Sequence, residues 1–230
     1  MEKNKYSYVG ISFIILLFGI WAVKEFGSRF DSEELAYLEV EDENGELIKR
    51  SVPDFSFTNQ DGKTITNKDY DGKVYVVEFF FATCPTICPV MNENLVHVQH
   101  QFYGKLDFGI ASFTINPEHD TPEVLKEYMQ TYGAKHPNWH MLTGDQKKIY
   151  DLARNGFNAY AAEDENAPGG FEHSGFFALV DKEGFLRSRK DEYGNPILYY
   201  QGSVPYKQRK SRDGDEQQID ILIEDIKKLL

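Results

Sequence analysis

The sequence predicts an α/β domain, a sheet with helices on both faces, preceded by an apolar segment near the N-terminus. Three observations predict this arrangement. Strand-like and helix-like runs alternate from residue 53 onward, two cysteines lie where one strand gives way to a helix, and residues 6–23 carry no charge. With 230 residues, the chain is long enough for one sizeable domain and its appendages.

The uncharged N-terminal segment, residues 6–23, is rich in Ile, Leu, Phe and Val. As a helix it would span roughly 27 Å, close to the about 30 Å of a bilayer core, so we predict a transmembrane signal anchor. Lys3 and Lys5 precede it and acids follow it. Positively charged flanks of membrane segments usually stay in the cytoplasm, so we predict that residues 1–5 are cytoplasmic. The protein would then cross the inner (plasma) membrane once, with its domain on the periplasmic side. A cleaved signal peptide is the alternative, but residues 21–24 form a poor cleavage site.

The residues after the apolar segment differ from it in composition. Residues 24–50 are charged and short of apolar side chains, which favours a juxtamembrane spacer and places the folded domain at residues 51–230. The formal net charge is −12 and the isoelectric point is near 5.0. Binding to nucleic acid requires clustered positive charge, so we expect no nucleic-acid partner.

Strands are predicted from short apolar or alternating runs bounded by turn residues. Residues 55–57 and 64–66 flank Asp61-Gly62, and Asp-Gly between alternating segments is typical of a β-hairpin. Two longer apolar runs, 74–81 and 106–115, are typical of buried strands, and a third lies at 175–180.

Helices are predicted from apolar residues at helical spacing and from residues that start and stop helices. The first runs over 91–102. The second begins near Asp120-Thr121-Pro122-Glu123, which combines a capping residue, a first-turn proline and an early acid, and Gly133 ends it. The third covers 145–155, and 219–230 predicts a closing amphipathic helix.

Cys84 and Cys88, the only cysteines, follow the first buried strand. Residues four apart share a helix face, so we predict both sulfurs on the first turn of the helix, where unpaired amides favour thiolate over thiol. Such cysteines have pKa values of roughly 3.5 to 7.5. The pair suits disulfide chemistry or a thiophilic metal such as Cu(I). An inert disulfide is the alternative, but it would close a tiny loop and gain little chain entropy.

His173 is the candidate third ligand, because it lies in a glycine-rich segment directly before the third apolar strand. Two thiolates and one neutral imidazole suit Cu(I) in a roughly trigonal arrangement. Zn²⁺ usually takes a fourth ligand, and the sequence offers no obvious one. Core packing is the favoured role of Met91, with weak axial ligation as the alternative. The remaining histidines have weaker cases as ligands: His97, His100, His119, His136 and His140.

Four motifs in this order resemble the Sco/SenC family of membrane-anchored copper proteins, over roughly residues 53–185. They are Cys84-Pro85-Thr86-Ile87-Cys88-Pro89, the run from Ile115 to Leu125, Leu142-Thr143-Gly144, and His173-Ser174 ahead of Leu179-Val180-Asp181. The resemblance implies a thioredoxin-like mixed sheet flanked by helices and copper bound by Cys84, Cys88 and His173. It also implies copper delivery to the binuclear copper centre of cytochrome c oxidase, with the copper-bearing oxidase subunit as partner.

The same residues fit two other functions. In a thiol–disulfide oxidoreductase that keeps client cysteines reduced, Cys84 would attack, Cys88 would resolve the mixed disulfide, and a separate thiol reductant would restore the pair. A redox or copper sensor is the further alternative.

The chain also departs from the family pattern at two places. Thr86 and Ile87 stand where an acid is common, and a basic insert at about 185–215 predicts a docking loop or a solvated hairpin.

Overall fold

A computed structural model describes Ser12 and residues 14–19, 34–164, 166–191, 193–211 and 214–230. Most of the predicted anchor, 6–23, therefore lies outside the described residues. Those of its residues that are described are helical, and no helix in the described part of the chain combines the length and apolarity that a membrane crossing requires.

Nine strands of the described chain form one mixed sheet, and two pairs form separate small sheets. The order in the main sheet is β1, β12, β11, β6, β7, β8, β4, β5, with β13 also paired to β11. The small sheets are β2–β3 and β9–β10. The strand bounds are β1 Ala36–Tyr37, β2 Glu39–Glu41, β3 Leu47–Lys49, β4 Ser56–Asn59, β5 Thr64–Thr66, β6 Val74–Phe80, β7 Phe108–Thr114, β8 Trp139–Thr143, β9 Ala161–Glu163, β10 Phe171–His173, β11 Phe176–Val180, β12 Leu186–Ser188 and β13 Tyr200–Gln201.

The centre of the sheet is parallel, because β6, β7 and β8 run in the same direction with long helical crossovers between them. Every residue of β6 and β7 is buried, which explains why both appear in the sequence as largely apolar runs. The neighbours β11 and β4 are antiparallel to this centre. The predicted α/β sheet and its three apolar strands are thus confirmed.

Four α-helices surround the sheet in the described domain: α1 Cys88–Phe102, α2 Pro122–Tyr132, α3 Gln146–Asp151 and α4 Ile219–Leu229. α2 starts and ends as predicted, with the Thr121 side chain accepting from the Val124 N–H and Gly133 in the left-handed region at φ 75°. A π-helix, Leu152–Gly156, continues α3, and a 3₁₀-helix spans Asn67–Tyr70.

The compact unit begins at Leu35, earlier than the predicted boundary at residue 51. β1 pairs with β12, and Leu35 and Leu38 are buried. The Arg187 guanidinium donates to the Leu35 carbonyl at 2.6 Å and to the buried Asp181 carboxylate at 2.9 Å. Residues 35–50, which the sequence assigned to the spacer, are therefore part of the domain.

Two basic side chains of the insert have structural partners, whereas Lys190, Lys207, Arg209 and Lys210 are exposed. Arg187 lies in β12, and Arg189 donates twice to the Asp225 carboxylate of α4, at 2.8 Å each. Lys210 pairs with Glu216 at 3.0 Å. Arg212 of this insert lies outside the described residues.

Candidate metal centre

The two cysteines lie at the carboxyl end of β6, but only one of them is in the helix. Cys84 lies in a turn in which its N–H donates to the Phe81 carbonyl at 3.2 Å, and α1 begins at Cys88. The prediction that both sulfurs occupy the first helical turn is therefore wrong. Pro89 fits the first turn of α1, where its missing N–H would have had no partner within the helix.

Asp120, in the loop that follows β7, fastens this turn to the sheet. Its buried carboxylate accepts from the Ala82 N–H at 3.0 Å and from the Thr114 hydroxyl at the end of β7. Its other oxygen binds Nδ1 of His119 at 2.8 Å. Asp120 was predicted as part of a helix start, but its structural role is to fix the segment two residues before Cys84.

His173 reaches the cysteines on a separate two-stranded sheet. It is the last residue of β10 and pairs with Ala161 of β9. The Phe81 ring meets the His173 ring edge-on, with 5.7 Å between centroids. Gly169, at φ 86° in the loop between these strands, lies so close to Phe81 that a Cβ would come within 2.8 Å of the ring. A glycine in the segment before His173 is thus required because the backbone packs closely against Phe81.

The geometry brings the three predicted ligands together. The Cys84 and Cys88 sulfurs and an imidazole nitrogen of His173 lie within 4.8 Å of one another. Nε2 of His173 is 3.2 Å from the Cys88 sulfur, and Nδ1 is 3.1 Å from the Ser174 carbonyl oxygen. Because a carbonyl only accepts, Nδ1 carries the proton and the Nε2 lone pair faces Cys88.

The two sulfurs differ in charge. A hydrogen bond from the Cys88 thiol, supported by the Cys88 N–H at the start of α1, lowers the pKa of Cys84 well below its usual range. Burial raises the pKa of Cys88, and the neighbouring Cys84 sulfur raises it further. The Cys84 sulfur therefore ionises more readily than the Cys88 sulfur, whereas the sequence predicted two equivalent anions.

This donor set fits a soft monovalent cation. The Cys84 sulfur, the Cys88 sulfur and a ring nitrogen of His173 lie close together, and a soft cation among them would have two sulfurs and one nitrogen as ligands. Ligand atoms about 2.3 Å from a trigonal ion lie about 4 Å apart, which matches the spread of these atoms. A cavity of about 310 Å³ beside them is lined by Cys84, His173, Thr86 and Pro168.

The other side chains considered from the sequence have separate structural roles. Met91 is fully buried in the hydrophobic core. His97 stacks on Tyr206, with ring centroids 3.9 Å apart. The remaining histidines are exposed or bound to nearby groups: His100, His119, His136 and His140.

Glu78 is a buried acid that sequence reasoning missed. It is fully buried in β6 and accepts from the Ser112 hydroxyl at 2.6 Å, while its second oxygen has no hydrogen-bond partner among the described residues. Burial raises the pKa of Glu78 to about 7. Its ionised form would oppose ionisation of Cys88. The sequence did contain a signal for Glu78, because it is a single acidic residue within an otherwise apolar run.

Comparison with known proteins identifies the family. The SCO1/SenC family model matches residues 44–201, well over half of the chain. The chain belongs to the SCO1/SenC family. The match extends from the region assigned to the spacer into the basic insert, so the family pattern covers more of the chain than the four motifs indicated.

Among SCO1/SenC relatives, the SCO1 protein homolog of Bacillus subtilis (strain 168) is 34% identical over 139 residues, which are 60% of this chain and 72% of that protein. The structure of BsSco, described as having a disulfide switch and as a member of the Sco family of cytochrome c oxidase assembly proteins, is 29% identical with a TM-score of 0.61. The structural match covers 77% of this chain and 91% of BsSco. Bradyrhizobium japonicum ScoI with copper bound, at 22% identity and a TM-score of 0.58, shares the fold over 78% of this chain and 99% of its own.

Proposed function

We propose that this chain is a membrane-anchored copper metallochaperone that delivers copper to the binuclear copper centre of cytochrome c oxidase. The convergence of two sulfurs and one imidazole nitrogen within 4.8 Å carries the proposal. BsSco belongs to a family of oxidase assembly proteins, and ScoI has been solved with copper, which supports the same cargo and recipient here.

Copper is the cargo of this site, and the residues that would hold it are Cys84, Cys88 and His173. A soft cation takes the place of the Cys88 proton, and that proton leaves to solvent. Cys84 is 7% exposed and Cys88 is fully buried, so an incoming sulfur of the recipient, the copper-bearing oxidase subunit, meets Cys84 and His173 first. Release then proceeds by replacement of one ligand at a time, and Cys88 takes back a proton.

Copper titration of the reduced soluble domain, with X-ray absorption to count neighbours, tests the ligand set. We expect one equivalent of Cu(I) with two sulfurs and one or two nitrogens, and loss of tight binding in His173→Ala and Cys84→Ala. The matched control is His100→Ala, because His100 is exposed on α1 outside the site. Equal affinity with and without the His173 imidazole would contradict the assignment.

The membrane location is part of the same proposal. Residues 6–23 anchor the chain, and the segment that follows leads to the domain at Leu35 on the periplasmic side. Alkaline extraction of membranes, followed by protease treatment of intact spheroplasts, tests it. We expect the protein in the membrane fraction and its domain cleaved from outside, and a domain protected from the protease would overturn the orientation.

The unequal sulfurs favour a second candidate function, the reduction of client disulfides. The Cys84 thiolate attacks a client sulfur and the client's other sulfur leaves with the bond's electrons. Cys88 then loses its proton and attacks Cys84, which releases the client as a dithiol, and a thiol reductant of small-molecule or protein class restores the pair. With an aromatic disulfide as probe, we expect Cys88→Ser to keep the first step and Cys84→Ser to lose it. An equal first step in both variants would exclude this order of attack.

A further inference from the structure

The cavity beside the candidate ligands carries acidic side chains and no basic ones. Its volume is about 310 Å³, and its lining includes Cys84 and His173 together with Asp164 and Glu172. Of the described residues that line it, none is a lysine or an arginine. Two candidate ligands and two carboxylates thus share one opening, and a molecule that reaches Cys84 through this opening enters a negative field.

The Asp164 carboxylate is held in place by its own loop. One of its oxygens accepts from the Asn166 N–H at 2.9 Å and from the Asn166 side-chain amide at 3.2 Å. The Asp164 N–H donates to the Gly170 carbonyl at 3.0 Å. These partners are neutral, so among the described residues no ion pair compensates this carboxylate. Asp164 therefore contributes a fixed negative charge to the cavity.

Glu172 contributes the second charge from the middle of β10. It is exposed, and its carboxylate has neither a hydrogen bond nor an ion pair within the described part of the chain. Side chains alternate along a strand, so this carboxylate and the His173 ring lie on opposite faces of β10, and Glu172 acts through its charge rather than by contact. Because Glu172 lines the cavity, its charge lies within the Debye length, about 8 Å at physiological ionic strength, of a molecule that enters.

We propose that Asp164 and Glu172 select the partners of this centre by charge: they favour a reacting sulfur flanked by lysine or arginine and disfavour anionic thiols and disulfides. This rests on the proposed function, because it names the partner class of the same centre. Such a partner places a cationic side chain in the cavity while its own sulfur meets Cys84. Complementary charge in an open cavity mainly raises the rate of encounter, so the selection appears in rate constants and weakens with salt.

Thiol–disulfide exchange with small probes of different charge tests the proposal. The probes are cystamine, hydroxyethyl disulfide and dithiodipropionate, which are similar in size and are cationic, neutral and anionic at neutral pH. In the reduced full chain in nonionic detergent, the Cys84 sulfur attacks one probe sulfur, and the other leaves with the electron pair of the broken bond and takes a proton from solvent. Cys88 then loses its proton, attacks the Cys84 sulfur and releases the second half of the probe. Mass spectrometry after an acid quench gives the rates.

Removing both charges should reduce the preference for the cationic probe. In Asp164→Asn with Glu172→Gln, we expect the ratio of the cationic to the anionic rate to fall about tenfold relative to wild type, while the rate with the neutral probe is unchanged. Asparagine keeps the acceptor oxygen that the Asp164 turn requires. In wild type the ratio should also fall at about 1 M salt, where the Debye length is about 3 Å.

The matched control is Asp71→Asn with Glu183→Gln. Both acids are exposed at the amino end of β6, whereas the centre lies at its carboxyl end, and the change in net charge is the same. The proposal is overturned if the cavity variant keeps the wild-type ratio, or if the control lowers the ratio equally, since the charge of the whole chain would then be responsible.

Copper titration separates this proposal from the proposed function. A chain that binds no copper contradicts copper delivery, and the probe rates still report charge selection at Cys84. A chain that binds copper but reacts with the three probes without regard to their charge contradicts charge selection alone. Should the double variant not fold, Glu172→Gln at its exposed position serves for the same comparison, with an expected fall of about threefold in the ratio.

Discussion

The two halves of the candidate metal centre are built differently. The cysteine half follows β6, whose seven residues are all buried and pair in parallel with β7, and Asp120 fastens the turn that carries Cys84. The histidine half lies on a two-stranded sheet, β9–β10, whose pairing among the described residues is internal and whose residues in β10 are partly exposed. The two sulfurs are thus held by the main sheet, whereas His173 lies on a small hairpin with fewer supporting contacts.

This difference indicates how a site can hold a metal and still release it. Local opening costs least where few apolar contacts and few backbone hydrogen bonds support a segment. We therefore expect the β9–β10 hairpin to move first when a recipient approaches, while the two sulfurs keep their positions. The predictions that follow alter one half at a time.

The largest effect is expected from Asp120→Ala. This change leaves the half-buried Ala82 N–H and the buried Thr114 hydroxyl without their acceptor. At about 1–3 kcal/mol for each group, the free energy of unfolding should fall by about 2–6 kcal/mol. Urea unfolding measures it. Glu118→Ala, an exposed neighbour, is the control and should change stability by less than about 0.5 kcal/mol. A loss as small as that of the control would mean that Asp120 does not hold the cysteine turn.

Glu78→Gln should remove one source of pH dependence from the cysteine half. The folded pKa of Glu78, about 7, lies above its ordinary value of 4.5, so its contribution to stability is fully present below pH 4.5 and is lost as pH rises through 7. Relative to wild type, the variant should gain about 3 kcal/mol in free energy of unfolding between pH 4.5 and pH 8. Parallel stability curves for the two proteins over that range would show that the buried carboxyl does not titrate there.

Gly169→Ala should weaken the histidine half with a smaller loss of stability. Both Gly169 and Gly170 have positive φ, so alanine at either costs about 1–2 kcal/mol of backbone strain. Only at Gly169 does the added Cβ meet Phe81 and Pro85, at 2.8 and 3.1 Å, which pushes the loop and His173 away from the sulfurs. Cu(I) affinity, measured by chelator competition, should fall about tenfold in Gly169→Ala relative to Gly170→Ala. Equal Cu(I) affinities of the two variants would show that packing of Gly169 does not position His173.

The sequence by itself determined the order of elements and the identity of the donors. The strands β6, β7 and β11 are largely apolar along their whole length because both faces of the sheet are covered, and Thr121 with Gly133 set the ends of α2. The soft donors could be named because only two cysteines exist and they follow a buried strand. Residue type and local spacing carry this kind of information.

Only the tertiary structure decided how those donors share charge and where they meet. Pro85 and Pro89 both suit a first helical turn, and packing of the fully buried Cys88 placed the helix start at the later one. The approach of His173 across 85 residues, the tether at Asp120 and the unpartnered oxygen of Glu78 depend on contacts between distant segments. Local patterns do not encode such contacts, because they form only when the sheet brings the ends of separate strands together.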